Sequence, residues 1–247
     1  AKEQGIGHYF VPRYTRVVDT AESKDNINKA YNLISTSKVR NEMIIDDVIT
    51  CVARKQTPVI LTRFKEHAKL LHDALKKKAD HVFLLYGDNS DKENAEIRVK
   101  LKQIPENESL ILVATGQKIG EGFDFPRLDV LMLAAPVSFE GRLEQYVGRL
   151  NRDYVGKEAV YVYDYIDSHV RYFDKMYAKR LRTYRKTGFS IWTQELQPKQ
   201  IINAIFDSVI YTEKFEQDIV ESEKMVVISS PDIRQDKIDR FLLLIKK

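Results

Sequence analysis

The sequence predicts an α/β protein built on a parallel sheet with helices over both faces. Three observations carry this. Short, nearly continuous apolar runs recur at Val59–Thr62, Val82–Tyr86, Leu110–Thr115, Val130–Ala135 and Ala159–Tyr165. Stretches of helical length separate or follow them, at Phe64–Lys78, Asp91–Gln103, Gly141–Gly148 and Ser168–Lys186. Unalternating apolar runs mark strands buried on both faces, and helical connections join such strands in parallel. The chain has 247 residues, 43% of them hydrophobic, which is enough for a sizeable core, and 31% charged.

Taken in order, residues 1–25 read as irregular, punctuated by Gly5, Gly7 and Pro12. Two helical patterns follow. Ala30, Leu33 and Ile34 share one face, and Ile44, Ile45, Val48, Ile49 and Val52 share another. The strand–helix alternation then begins. Ligands of such sheets bind at the carboxyl ends of the strands, where Thr62, Gly87, Thr115 and Pro136 fall. Gly188 ends the last helix of the series, and Trp192–Lys199, with Pro198, reads as a linker. The tail suggests a short helix around Ile201–Phe206, a strand at Met225–Pro231 and a helix from Asp232 to Lys247. One such αβα unit is too small to bury its own strand, so it reads as the opening of a further domain.

Cys51 stands alone, which excludes an intrachain disulfide and a thiolate zinc cluster, and no metal site is expected. Its neighbours Val48, Ile49 and Val52 make it a small core residue. No apolar run approaches the ~20 residues needed to span a bilayer, and no signal peptide opens the chain. A reducing, cytoplasmic setting without a membrane partner is the expectation. The start at Ala1-Lys2, without methionine, suggests a piece of a longer protein.

The net charge of +4 says less than its distribution. Ser168–Ser190 holds seven Lys/Arg against Asp174 alone, leaving the remainder about −2. Such local positive charge suits a phosphate-facing surface. Arg171, Lys175, Lys179, Arg182 and Lys186 line one side of the predicted helix, while Phe173, Met176, Tyr177, Arg180, Leu181 and Tyr184 suit packing on the sheet.

Three segments carry candidate chemistry. After the strand Leu110–Thr115, the Thr115 hydroxyl and the Gly116 backbone N–H suit a phosphate of a polynucleotide. Gly120 and Gly122 permit tight turns, and Asp124 suits ribose hydroxyls. In Gln145-Tyr146-Val147-Gly148-Arg149-Leu150-Asn151-Arg152, arginines at i and i+3 are neighbours on a helical turn. Two guanidinium forks there suit the phosphates of a nucleotide held elsewhere, and Gln145 suits orienting an arginine or a phosphate oxygen. In Pro58–Ala68, Thr62 is placed to cap the next helix, whose free N–H groups, with Arg63, would face a phosphate. His67 reads as a surface residue.

Together these segments resemble the second, carboxy-terminal RecA-like domain of superfamily 2 DEAD/DEAH-type helicases. Leu110–Asp124 resembles motif V, Gln145–Arg152 resembles motif VI, and Pro58–Ala68 resembles motif IV. The resemblance covers about Asp46 to Phe189, and the domain is expected over 46–190. It implies a P-loop NTPase-like RecA fold, with Arg149, Arg152 and Gln145 as the catalytic set. It further implies Gly122, Asp124 and Gly148 against the nucleotide, and Thr62, Arg63, Thr115 and Gly116 against nucleic acid. Glu121-Gly122-Phe123-Asp124 resembles the DNA-directed branch, so DNA is favoured over RNA.

Residues 1–45, with Val11–Thr15 and Arg40-Asn41, resemble the connector from a first RecA-like domain. Residues 191–247 resemble a linker and the truncated start of a phospholipase D-like module, although no His-x-Lys occurs. The chain holds neither a Gly-x-x-x-x-Gly-Lys-[Ser/Thr] loop nor Asp-Glu-x-[Asp/His]. ATP with magnesium is therefore expected on the first domain, with none bound by this chain alone. Two alternatives stand beside this reading: a non-catalytic nucleic-acid-binding scaffold, and the motor of a nuclease-associated defence or restriction protein.

Overall fold

The computed structural model describes residues 6–192, except 88, 117–124, 138–139 and 153, together with residue 220. The chain divides into two compact units, residues 1–203 and 204–247. The second lies outside the described residues apart from the exposed Val220. So does the predicted αβα tail, where a phospholipase D-like module is expected to begin.

The first unit is the predicted parallel α/β sandwich. Its described strands are β1 (Gly7–Tyr14), β2 (Pro58–Thr62), β3 (His81–Leu85), β4 (Leu110–Thr115), β5 (Val130–Leu133), β6 (Ala159–Ile166) and β7 (Ser190–Ile191). All pair in parallel, in the order β3-β4-β2-β5-β6-β1-β7. The described helices are α1 (Ala21–Asp25), α2 (Ile27–Thr36), α3 (Lys38–Ala53), α4 (Lys65–Leu75), α5 (Asp91–Gln103), α6 (Glu140–Leu150) and α7 (Arg171–Lys186).

Every residue of β2, β4 and β5 is buried, which is why those strands are continuous apolar runs. Ile60, Ile111, Val113, Val130 and Met132 point to one face, against Ile44, Val48 and Cys51 of α3 and Ala68, Leu71 and Leu75 of α4. The alternate residues Val59, Leu61, Leu112, Leu131 and Leu133 are equally buried on the other face. At the carboxyl edge, Tyr31 and Ile34 of α2 join Ala135, Val170 and Phe173 in a second cluster.

Local chemistry sets the helix ends. Ser90 and Glu93 form a reciprocal capping box on α5. Gly188 takes the left-handed conformation (φ +75°) that ends α7, and Phe189 N–H then donates back to the Tyr184 carbonyl at 2.9 Å.

Residues 6–25 depart from the irregularity expected of 1–25. Gly7–Tyr14 pairs with β6 along its whole length, and Thr20 with Ser23 caps the five-residue α1. Pro12 is tolerated because, among the described residues, β7 pairs with β1 only at Tyr9 and Phe10, so the missing N–H at position 12 costs none of their ladder bonds. Phe10 stacks on Tyr184 at 4.6 Å, which fixes β1 against α7.

Candidate functional site

The ends of β2 and β4 bring two sequence-predicted residues together. Thr62 and Thr115 are direct register partners on adjacent strands. Both are buried, at 3% and 8% exposure. Thr62 does not cap the next helix. Its hydroxyl donates to the Phe64 carbonyl at 3.2 Å, and Phe64 is the N-cap of α4 without a side-chain cap bond. The chain takes two more residues to turn than simple capping assumes. Arg63 is the exposed member of the pair, its guanidinium 4.4 Å from the centre of the Tyr31 ring. That cation–π contact holds the charge at the carboxyl edge of the sheet.

Gly116 follows Thr115 directly. Its carbonyl accepts a hydrogen bond of 2.9 Å from the Tyr146 hydroxyl. A Cβ at position 116 would lie 2.8 Å from that hydroxyl oxygen, so glycine is what allows the close approach. Gly122 and Asp124 lie outside the described residues, as do Gly120 and Glu121.

α6 buries Tyr146, Val147 and Leu150 and exposes Gln145 and Gly148, with Arg149 half-buried. Open space surrounds the position a Gly148 Cβ would take, so the backbone there is accessible from outside. The two arginines do not share a helical turn as the i, i+3 spacing suggested. α6 ends at Leu150, and Arg152 is exposed in the turn beyond it. The Lys157 ammonium donates to the carbonyls of Leu150 (2.7 Å), Arg152 (3.1 Å) and Pro126 (2.5 Å). A tertiary cation thus takes the helix-terminal carbonyls and ties that turn to the segment entering β5.

The loop that carries β5 into α6 is held by buried donors. Arg40 donates to the Ala134 carbonyl at 2.8 Å, Tyr31 to Pro136 at 2.9 Å and Arg180 to Val137 at 3.2 Å. Each arginine also forks onto a buried carboxylate. Arg40 binds Asp167 at 2.9 and 3.1 Å, and Arg180 binds Asp164 at 2.8 and 2.8 Å. Thr15 donates to Asp167 at 2.6 Å and Tyr184 to Asp164 at 2.9 Å. Sequence reading missed Tyr146, Lys157 and the loop role of Arg40 and Arg180. A full guanidinium on the apolar side of α7 was the available signal for Arg180.

His67 corrects another expectation. It is buried at 4% exposure and donates to Asn41 Oδ1 at 2.8 Å, while Asn41 donates to the Ser35 carbonyl at 2.9 Å. Burial, helped by the charge of Arg40, lowers its pKa to about 3, so the ring is neutral. Cys51 is the small core residue expected, fully buried, with burial pushing its thiol up to about 12. Among the described residues no cluster of three His, Cys, Asp or Glu could hold a metal ion. None of their helices is long and apolar enough to cross a membrane.

No protein-family model matches the chain. It is 28% identical over 138 residues to transcript termination protein A18 of Yaba-like disease virus, which covers 53% of this chain and 28% of that protein. It is 34% identical over 118 residues to "Putative helicase 161L" of Invertebrate iridescent virus 6, covering 47% of this chain and 22% of that protein. The chain thus spans about a quarter of the length of these relatives. Among solved structures, T4 UvsW superposes over 76% of this chain and 41% of its own, with a TM-score of 0.58 and 19% identity. The Sulfolobus solfataricus SWI2/SNF2 ATPase core in complex with dsDNA superposes over 83% and 51%, with a TM-score of 0.50 and 14% identity. None of these likenesses supports the phospholipase D-like reading of the tail. The described unit has the RecA-like fold of helicase domains.

Proposed function

We propose that this chain is the second motor domain of an ATP-dependent helicase or translocase, working with a first RecA-like domain of the same polypeptide that carries the phosphate loop. One arrangement carries the reading. Thr62, Arg63, Thr115 and Gly116 share the carboxyl edge of the sheet, and Gly116 is bonded through Tyr146 to the helix bearing Gln145, Gly148 and Arg149. A surface suited to a polynucleotide backbone is thereby joined to one suited to a nucleotide.

The chain's own residues have separable parts. Arg149 and Arg152 neutralise charge on a transferring phosphoryl group, the role of arginines supplied from a neighbouring domain. Gln145 orients one of them, and Gly148 leaves room for close approach. Gly122 and Asp124 face the ribose. Arg63, the Gly116 backbone and the Thr115 hydroxyl take phosphates of the nucleic acid. ATP with magnesium supplies the group transfer when bound on the first domain, and this chain alone should turn over no ATP. DNA is the favoured substrate, on the Glu121–Asp124 sequence and on a fold shared with an ATPase core solved on dsDNA.

The reading is tested by fluorescence anisotropy of labelled single-stranded and duplex DNA and RNA with the 247-residue chain. Arg63→Ala and Thr115→Val should each weaken binding without changing the melting temperature by more than a few degrees. Wild-type affinity in both variants would remove the proposed contact.

A further inference from the structure

The exposed face of α7 has a charge pattern that the other described helices lack. Eight of its side chains are exposed, and six are cationic: Arg171, Lys175, Lys179, Arg182, Arg185 and Lys186. Asp174 and Ala178 complete the face. By contrast, exposed residues on α4 (Lys65, Glu66, Lys69, Asp73) and α5 (Lys92, Glu93, Glu96, Lys100) mix both signs. Among the described residues, Arg171, Lys175, Lys179, Arg182 and Arg185 enter no salt bridge.

This arrangement works against the free helix. Arg171–Lys175, Lys175–Lys179 and Arg182–Lys186 are like-charged i, i+4 pairs, which destabilise a helix. Arg171 lies in the first turn, where the macrodipole disfavours a cation, while Asp174 in that turn and Arg185 and Lys186 in the last turn are favoured by it, so the cost falls on the like-charged pairs and on Arg171. A face kept merely soluble would do better with mixed signs, as α4 and α5 have. The pattern suits a polyanion instead. Its chemistry also suits phosphate over protein: protein interfaces enrich arginine but also aromatic residues, and deplete lysine, whereas this face carries three lysines beside its three arginines and no exposed aromatic or large aliphatic group.

The geometry is linear. The cations span about 22 Å of helix, with i, i+4 steps rising about 6 Å. α7 begins beyond the carboxyl end of β6 and returns to the amino end of β1, where β7 pairs. The stripe therefore starts at the edge that holds Thr62 and Thr115 and runs away from it. We infer that the α7 face binds the sugar-phosphate backbone of nucleic acid, extending the contact beyond the carboxyl edge. This rests on the reading of the chain as a nucleic-acid motor, though on a different surface from the motif residues.

The test is anisotropy of labelled duplex and single-stranded DNA with the 247-residue chain over a salt series. Lys175→Gln/Lys179→Gln/Arg182→Gln is compared with wild type, with Lys175→Arg/Lys179→Arg and with Arg63→Ala. Glutamine keeps helix propensity, so the triple variant should melt at or above the wild-type temperature. Its affinity should fall about tenfold or more, and its duplex salt slope should shallow by about 2–3, near one for each phosphate left without its cation. The arginine variant should bind like wild type. Unchanged affinity and slope in the triple variant would overturn the inference and leave an acidic protein or plain solvent as what this face meets. Weakened binding only in Arg63→Ala would do the same while sparing the motor reading. Weakened binding only in the triple variant would uphold the α7 surface and count against the carboxyl-edge contact. Absence of binding by wild type would overturn both.

Discussion

The Tyr146 hydroxyl donates to the Gly116 carbonyl at 2.9 Å, joining the end of β4 to α6. The same hydroxyl would lie 2.8 Å from a Cβ at position 116, while the next ring atom, Cζ, would be 3.8 Å away. The contact therefore depends on a missing methyl group on one side and a single oxygen on the other.

Tyr146→Phe should cost about 0.5–1.5 kcal/mol, the net worth of an intramolecular hydrogen bond. Gly116→Ala should cost more, because the added methyl displaces the ring. The two should couple: Gly116→Ala made in the Tyr146→Phe background should cost less than in wild type, since the clashing oxygen is gone. Urea unfolding of the four proteins reads this directly, and additive effects would contradict the contact.

The buried Arg180–Asp164 pair predicts a large one-sided effect. Asp164→Asn leaves a guanidinium buried at 3% exposure without its anion and weakens the Tyr184 contact. Removing one partner of a buried pair costs about 3–5 kcal/mol. Thermal melts should show the destabilisation, and a change under about 1 kcal/mol, the range of an exposed pair, would mean the pair is solvated in solution.

Asp129 predicts a stability gain. Burial, only partly offset by the Thr57 N–H bond of 2.7 Å and the Lys157 charge, lifts its pKa to about 6. The native state then holds a proton that the unfolded chain releases near pH 4, so this group's contribution declines as pH rises from about 4 to 6 and stays low above that. Asp129→Asn keeps an acceptor for Thr57 and removes the buried charge. It should stabilise on the order of 1–3 kcal/mol at pH 7.5 and little below pH 4. Equal melting temperatures at pH 7.5 would refute this.

His67 works in the opposite direction. Its ring stays neutral down to about pH 3 in the fold, whereas the unfolded chain protonates it near 6.5. Stability should therefore decline as pH falls from about 6.5 toward 3. His67→Gln retains a donor for Asn41 and cannot titrate, so its melting temperature should fall less between pH 7 and pH 5 than wild type's. Parallel curves for the two would exclude His67 as the source.

What the sequence revealed depended on how local its cause was. β2, β4 and β5 were legible because burial on both faces makes each a continuous apolar run, and β6 because only Asp164 interrupts its apolar and aromatic residues; the Ser90–Glu93 capping box that starts α5 was overlooked. β1 was not, since Pro12 and its polar residues resemble a loop until β6 is present to pair with them. His67 looked like one polar residue on an amphipathic helix, and only Asn41, 26 positions earlier, accounts for its burial. The spacing of Arg149 and Arg152 suggested one helical turn, but Lys157 and the end of α6 decide where the second arginine sits. The pairing of Thr62 with Thr115 follows from sheet order, which no local pattern encodes.

In the proposed motor, Arg152 and its neighbours serve a nucleotide bound by another domain during nucleic-acid-driven turnover. That role is tested most directly by the ATPase rate of the full-length protein, with and without single-stranded and duplex DNA and RNA, beside Arg152→Ala. Nucleic acid should stimulate the rate, DNA above RNA, and the variant should be slower by about a thousandfold or more. A low rate indifferent to nucleic acid and to Arg152 would contradict that role and favour a scaffold that binds without turnover.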